Sequence, residues 1–251
     1  KSISYAKRIQ YSILPKEELM NAFFTDHFIY YKPKDIVGGD FYWFRSFDDL
    51  AVIAAVDCTG HGVPGGFMTM MGSLLLDKIV QKTNLDTSKI LYDLNSEIIR
   101  VLRQEYEGSM QDGMDLSICL IDKKKSEIHF SGARNGVYVF ENNVAKHYEA
   151  DLIPVGGFHS KKSKELHREY SQQKISINKD SWVFMYTDGY VDQLGGDKMR
   201  SMGMKLFEEA IKDAVTLSSK ENREELLQMK YDNWRKNIPP IDDVLLIGFK
   251  I

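Results

Sequence analysis

"LAVIAAVDCTGHGVPGGFMTMMG", residues 50–72, decides how the rest of the chain is read. From Leu50 to Val56 every residue is apolar, and a continuous run of that kind fits a strand covered on both faces. The run stops at Asp57. "GHGVPGG" (60–66) then reads as a turn, and "FMTMMGSLLLDKIVQ" (67–81) as a helix. Met68, Met70 and Met71 on that helix are expected as core filler. A strand buried on both sides needs a partner layer on each, so sheets and helices must stack.

The flanking sequence supplies those layers. Upstream, "HFIYYKP" (27–33) and "DFYWFRSF" (40–47) are strand-like, with Tyr42, Trp43 and Phe44 as core and sheet-surface aromatics. Downstream, residues 86–106 read as a helix with Asp86 or Thr87 as N-cap. "MDLSICLID" (114–122), "EIHFSGA" (127–133), "GVYVFEN" (136–142) and "VAKHYEA" (144–150) form a meander of hairpins, separated by "KKKS", "RNG" and "NN". Residues 159–174 read as a polar loop running into a strand. "DSWVFMYTDG" (180–189) is a strand ending in a turn, two helices cover 203–216 and 220–236, and "DDVLLIGFKI" (242–251) closes the chain. The pattern is α+β: two β-sheets with helices, as one domain over residues 23–251, preceded by a helical linker over 1–22. In that linker Ile3, Ala6, Ile9 and Ile13 recur at spacings of three and four until Pro15. The stripe suits either a coiled-coil seam or a terminal helix packed on its own domain.

Composition narrows the partners. The chain has 33 Lys and Arg against 36 Asp and Glu, a net charge of −3, which gives nucleic acid or an anionic membrane no electrostatic foothold. No apolar run approaches the roughly 18–20 residues that span a bilayer. The cysteines, Cys58 and Cys119, are far apart, so neither a disulfide framework nor a zinc-thiolate site is expected, and a cytoplasmic, reducing setting fits. The chain opens on Lys1 without an initiator Met, so a longer parent protein is expected.

The isolated acids are the chemical signal. Asp40 follows Gly38 and Gly39 at the mouth of a strand, in "IVGGDFYWF" (36–44). Asp57 ends the buried strand, Asp188 ends "WVFMYTD", and Asp242 and Asp243 open the last strand. An aspartate in a turn is usually a turn former. Several at strand ends can meet in one cleft, where a divalent cation must offset their repulsion. An all-oxygen site suits Mg²⁺ or Mn²⁺, and the glycines would let backbone approach the ions closely.

Taken in order, "IVGGDFYWF", "VDCTGHGVPGGFMTMMG", "MDLSICLID", "FSGARNGVYVF", "LIPVGG", "MYTDGYVDQLGG" and "IDDVLLIGFKI" resemble the SpoIIE/RsbU-type bacterial serine phosphatases, a branch of the PPM (PP2C-like) family, from about residue 27 to 251. "AKRIQYSILP" is similar to the linker helix that precedes such domains. The resemblance implies an α-β-β-α sandwich of two antiparallel sheets, with two Mn²⁺ or Mg²⁺ ions in a cleft at the sheet edge. It implies hydrolysis of phosphoserine or phosphothreonine on a protein, by a water activated between those ions. Carried onto this chain, the metal-holding acids are Asp40, Asp57, Asp188 and Asp242, with Asp243 as the alternative to Asp242. The backbone carbonyl of Cys58 stands where glycine is usual. Asp115 occupies a position more often threonine and is expected as a further metal-proximal acid, with a strand-edge residue as the alternative. "GARNG" lacks the acid of a third metal site, and no arginine matches the phosphate-gripping one of eukaryotic relatives. Lys34 is expected to be solvated. His61 is a candidate acid for the leaving group, with orientation of the glycine turn as the simpler role. The implied partners are a phosphorylated STAS-type signalling protein, an upstream sensor domain and, through the N-terminal helix, a second copy in a homodimer. Two alternatives are a non-catalytic phosphoprotein-binding scaffold and a small-molecule phosphoester hydrolase.

Overall fold

The structure, a computed structural model, describes residues 2–81, 84–106, 110–157 and 168–251. The N-terminal arm is α1 (Ser2–Ile13) and α2 (Glu17–Phe23), broken at Pro15. Then follow β1 (Asp26–Lys32), β2 (Asp40–Phe47), β3 (Leu50–Cys58), α3 (Gly62–Val80) and α4 (Thr87–Val101). The meander is β4 (Gly113–Asp122), β5 (Glu127–Ala133), β6 (Val137–Glu141) and β7 (Val144–Tyr148). After β8 (Val155–Gly156) and β9 (Gln173–Ser176) come β10 (Trp182–Tyr186), α5 (Gly189–Asp192), and the small hairpin of β11 (Leu194–Gly195) and β12 (Arg200–Ser201). The chain closes with α6 (Gly203–Thr216), α7 (Arg223–Arg235) and β13 (Val244–Lys250). Most of the expected 159–174 loop lies outside the described residues; its end leads into β9 as expected.

Two antiparallel sheets face each other. One has the order β1-β13-β10-β6-β7, the other β2-β3-β4-β5-β9 with β8 paired to the start of β4. Side chains alternate between faces along a strand, and three cores result. Val52, Ala54 and Val56 of β3 pack with Leu76, Ile79, Leu91 and Leu94 of α3 and α4. Ala51, Ile53 and Ala55 of the same strand face Met185, Leu245 and Ile247 across the sandwich. Phe184 and Leu246 turn the other way, onto Phe207, Ile211 and Leu227 of α6 and α7. The layers are therefore helix, sheet, sheet, helix, as the doubly covered run at residues 50–56 requires.

Two local expectations change. α3 starts at Gly62 rather than after Gly66, because Pro64 is harmless in a first turn whose N–H groups have no helical partner. Gly65 and Gly66 are there for packing: a Cβ on Gly65 would overlap the Gly60 carbonyl, and one on Gly66 the Val37 side chain. On α1 the apolar stripe docks only in part, with Ala6 and Ile13 half-buried. Ile3 and Ile9 are exposed, and Gln10 is the helix's one buried residue, facing the domain beside α3. Met68 fills core as expected, while Met70 and Met71 are half-buried. Asp86 is the N-cap of α4, accepting from Lys89 N–H at 3.1 Å. No helix among the described residues is long and apolar enough to cross a membrane.

Candidate active site

The layer between the sheets is apolar until its end, where the alternation carries on into acids. Along β3, the face bearing Ala51, Ile53 and Ala55 arrives at Asp57; along β4, Ile121, Cys119 and Ser117 lead to Asp115; along β2, Phe44 and Tyr42 lead to Asp40. Strand register sets these three side by side: Asp40 opposes Asp57, and Asp57 opposes Asp115. Directly opposed residues hold their Cβ atoms about 4.5–5.5 Å apart. The second sheet closes over them. β10 continues past Tyr186 to Thr187 and Asp188, and β13 is entered through Asp242 and Asp243.

Hydrogen bonds fix the surroundings. Thr187 Oγ1 donates to Asp40 Oδ2 at 2.6 Å and accepts from Leu245 N–H at 2.9 Å, joining β2 to the opposite sheet. Asp243 accepts from Gly39 N–H at 2.5 Å and from Lys34 N–H at 2.7 Å, so both its oxygens hold the loop that delivers Asp40. A Cβ on Gly39 would overlap the Gly60 carbonyl and crowd that of Cys58, which explains the glycine before the acid. Gln10 completes the loop: its Nε2 donates to Gly38 O at 2.6 Å, and its Oε1 accepts from Gly38 N–H at 3.2 Å.

The electrostatics follow from crowding. Burial pushes the Asp40 carboxyl well above its usual range, with Asp243, Asp242 and Asp188 adding to the rise against the Thr187 bond. Asp57 is raised well above normal by loss of hydration, then by Asp40, Asp188, Asp242 and Asp115. Asp188 is pushed up to about 6 by desolvation and by Asp192, Asp242 and Asp115, while a hydrogen bond with Asp57 pulls the other way. Burial also lifts the Cys58 thiol, so it stays protonated.

Among the described residues no three His, Cys, Asp or Glu side chains converge as tightly as the ligands of one ion. The donor set nevertheless fits a hard divalent cation. It is all oxygen, and Asp40, Asp57 and Asp188 lose hydration together while raising one another's carboxyl, a crowding that a cation would relieve.

The expected residues take different positions. Asp40, Asp57, Asp188 and Asp115 gather at this end of the sandwich, and Asp242 acts electrostatically on Asp40, Asp57 and Asp188. Asp242 is half-buried and accepts from Asp243 N–H, whereas Asp243 is buried and committed to the glycine loop. The Cys58 carbonyl lies against Gly39. His61 occupies the N-cap of α3 without a capping bond; its Nδ1 meets Asp35 at 2.6 Å instead. Lys34 contributes its backbone N–H. Four residues that the sequence reading passed over shape the site. They are Thr187, Gln10 and Arg134, each inside a quoted motif, and Asp35, which falls between two; Arg134 Nη1 donates to Asp115 Oδ2 at 3.2 Å.

Comparison with known proteins bears on the family and the fold. The Stage II sporulation protein E (SpoIIE) family profile matches residues 48–251, beginning just after β2. The SiaA-PP2C domain of Pseudomonas aeruginosa superposes with a TM-score of 0.88 at 26% identity, covering 100% of this chain and 96% of that one, so β1, β2 and the N-terminal arm have counterparts. The PP2C phosphatase domain of SpoIIE from Bacillus subtilis, with a fragment of its regulatory domain, gives a TM-score of 0.69 at 16% identity over 90% of this chain and 63% of that one. RsbX in complex with magnesium gives 0.61 at 15% identity, covering 90% and 94%. No curated protein sequence matches the chain significantly.

Proposed function

Since the chain belongs to the SpoIIE family of PP2C-type serine phosphatases, we propose that it removes phosphate from phosphoserine or phosphothreonine on a signalling protein in a metal-dependent reaction. The observation that carries this reading is the row Asp40, Asp57, Asp115 on adjacent strands, with Asp188 acting electrostatically on Asp40 and Asp57 from the opposite sheet. Asp40, Asp57, Asp188 and Asp242 would hold the cations, joined by the Cys58 carbonyl, while Asp243 and Thr187 keep Asp40 in place. Two Mn²⁺ or Mg²⁺ ions bound there would supply a water acidified toward neutrality and draw charge from the phosphoryl oxygens. In-line attack by that water would form the new O–P bond as the bond to the serine oxygen breaks, the water's proton leaving to solvent and the serine oxygen taking one up. His61, held at Nδ1 by Asp35, is suited to give that proton from its other nitrogen. The buried, protonated Cys58 thiol is unsuited to attack, so no phosphoenzyme forms.

The substrate we propose is a phosphorylated STAS-type partner-switching protein in the cytoplasm, with a sensor domain acting through α1. α1 exposes Ile3, Tyr5 and Ile9, and α3 exposes Phe67 and Leu74, apolar surface suited to a homodimer. The test is release of phosphate from a phosphoserine protein and from an aryl phosphate, with and without Mn²⁺. Manganese-dependent release from the protein, lost in Asp57→Asn with the fold kept, is expected. Activity only on the aryl ester would favour a small-molecule hydrolase, and none on either a binding scaffold.

A further inference from the structure

Beside the carboxylate row lies a cavity of about 90 Å³, lined by Asp57, Asp115, Thr59, Arg134, Gly156 and Gly157 among others. Among the described residues that line it, Arg134 alone is cationic. Its backbone sits in the left-handed region, φ 65°, and is pinned there by donation from Arg134 N–H to the Asp151 carbonyl at 2.7 Å. Its guanidinium donates one bond to Asp115 and stays 44% exposed. An exposed ion pair adds little stability, and left-handed backbone disfavours any residue with a Cβ. Stability alone therefore gives no reason for a long cation at a position that a glycine would fill without strain. An anion in the cavity does. A guanidinium carries five donors in a planar fork, and the Asp115 bond uses one donor of a side chain that lines the cavity.

We propose that Arg134, oriented by Asp115, binds the substrate's phosphoryl group on the side of the cleft away from the Asp40 loop. This rests on the phosphatase reading. It also gives Asp115 the role of a positioning residue, distinct from the metal-proximal role expected from sequence. The dianion would lie between the cations held by Asp57 and its neighbours and the fork of Arg134, which matches two phosphoryl oxygens.

The test uses the full chain with Mn²⁺ and inorganic phosphate as the probe. Arg134→Ala should raise the inhibition constant of phosphate, and KM for an aryl phosphate, by roughly 10-fold or more. Arg134→Lys should recover part of that loss, since charge returns without the fork. Independently of turnover, phosphate should protect Arg134 from phenylglyoxal in peptide mass spectrometry, while exposed Arg8 reacts at an unchanged rate. An active wild type with no protection at Arg134, or an Arg134→Ala variant with an unchanged inhibition constant, overturns the assignment and leaves the phosphatase reading standing. A wild type that releases no phosphate at all removes both.

Discussion

Replacing Gln10 by leucine should loosen the whole N-terminal arm, because that side chain is the one buried residue of α1. Leucine keeps the approximate volume and deletes the polar end. Lost with it are the bonds to Gly38 O (2.6 Å), from Gly38 N–H (3.2 Å) and to Thr69 Oγ1 (3.1 Å). If α1 stayed docked, two buried backbone groups of Gly38 would go unpaired, at about 1–3 kcal/mol each. The helix has a cheaper response, since Ile3, Tyr5, Ile9 and Tyr11 are already exposed: it can swing out and let water reach Gly38. The penalty is then capped by the docking free energy, and a net loss of about 2 kcal/mol is expected. For a chain of this size that lowers Tm by roughly 2–4 °C per kcal/mol. Hydrogen exchange should quicken in α1 and around Gly38, and turnover should fall because Asp40 lies two residues further on. Protection and Tm matching wild type would refute the claim that this one side chain couples arm to site.

Other outcomes follow from single contacts. Gly39→Ala pushes a methyl into the Gly60 and Cys58 carbonyls, so stability should drop by about 1–3 kcal/mol and turnover should vanish; an active, stable variant would contradict the packing. Arg223 pairs with Asp26 at 2.8 Å and lies 4.5 Å above the Trp182 ring, so Arg223→Ala should reduce urea stability by about 2 kcal/mol, and a change under about 0.5 would argue against that lock. Asp188 has its folded pKa raised from 3.8 to about 6, so the native state binds the extra proton. Its contribution is complete below pH 3.8 and lost as pH rises through 6. In metal-free protein Asp188→Asn should therefore gain on wild type over that interval, by a small margin because the residue is exposed, and a pH-independent difference would rule the shift out. Ile9→Glu should shift light-scattering mass from dimer toward monomer, whereas a monomeric wild type would dispose of the proposed interface.

How much of the site could be read from sequence depends on how each pair of strands is joined. β2 and β3 are linked by the two-residue turn Asp48–Asp49, so once Phe47 opposes Leu50 every later pair is set, and Asp40 must oppose Asp57. The short "KKKS" turn fixes β4 against β5 in the same way. The pairing of Leu116 with Ala133, carried one step further, aims Asp115 and Arg134 at each other. The hairpin itself carries that signal, in the base that "GARNG" contains rather than in the acid it lacks. Asp57 against Asp115 is a different case. Two helices, α3 and α4, separate β3 from β4, so no turn sets their register, and only the packing of the whole domain does. The same holds for Asp188 and Asp242, which arrive from the opposite sheet. Gln10 was the least visible of all. Periodicity finds the apolar face of a helix, and here half of that face is left exposed while an amide takes the one buried position. A polar residue chosen for its hydrogen bonds leaves no mark on a hydrophobic pattern. The acids could be nominated from sequence because a carboxylate ending an apolar strand breaks a pattern. The groups that hold them in place break none, and their number and position had to come from the fold.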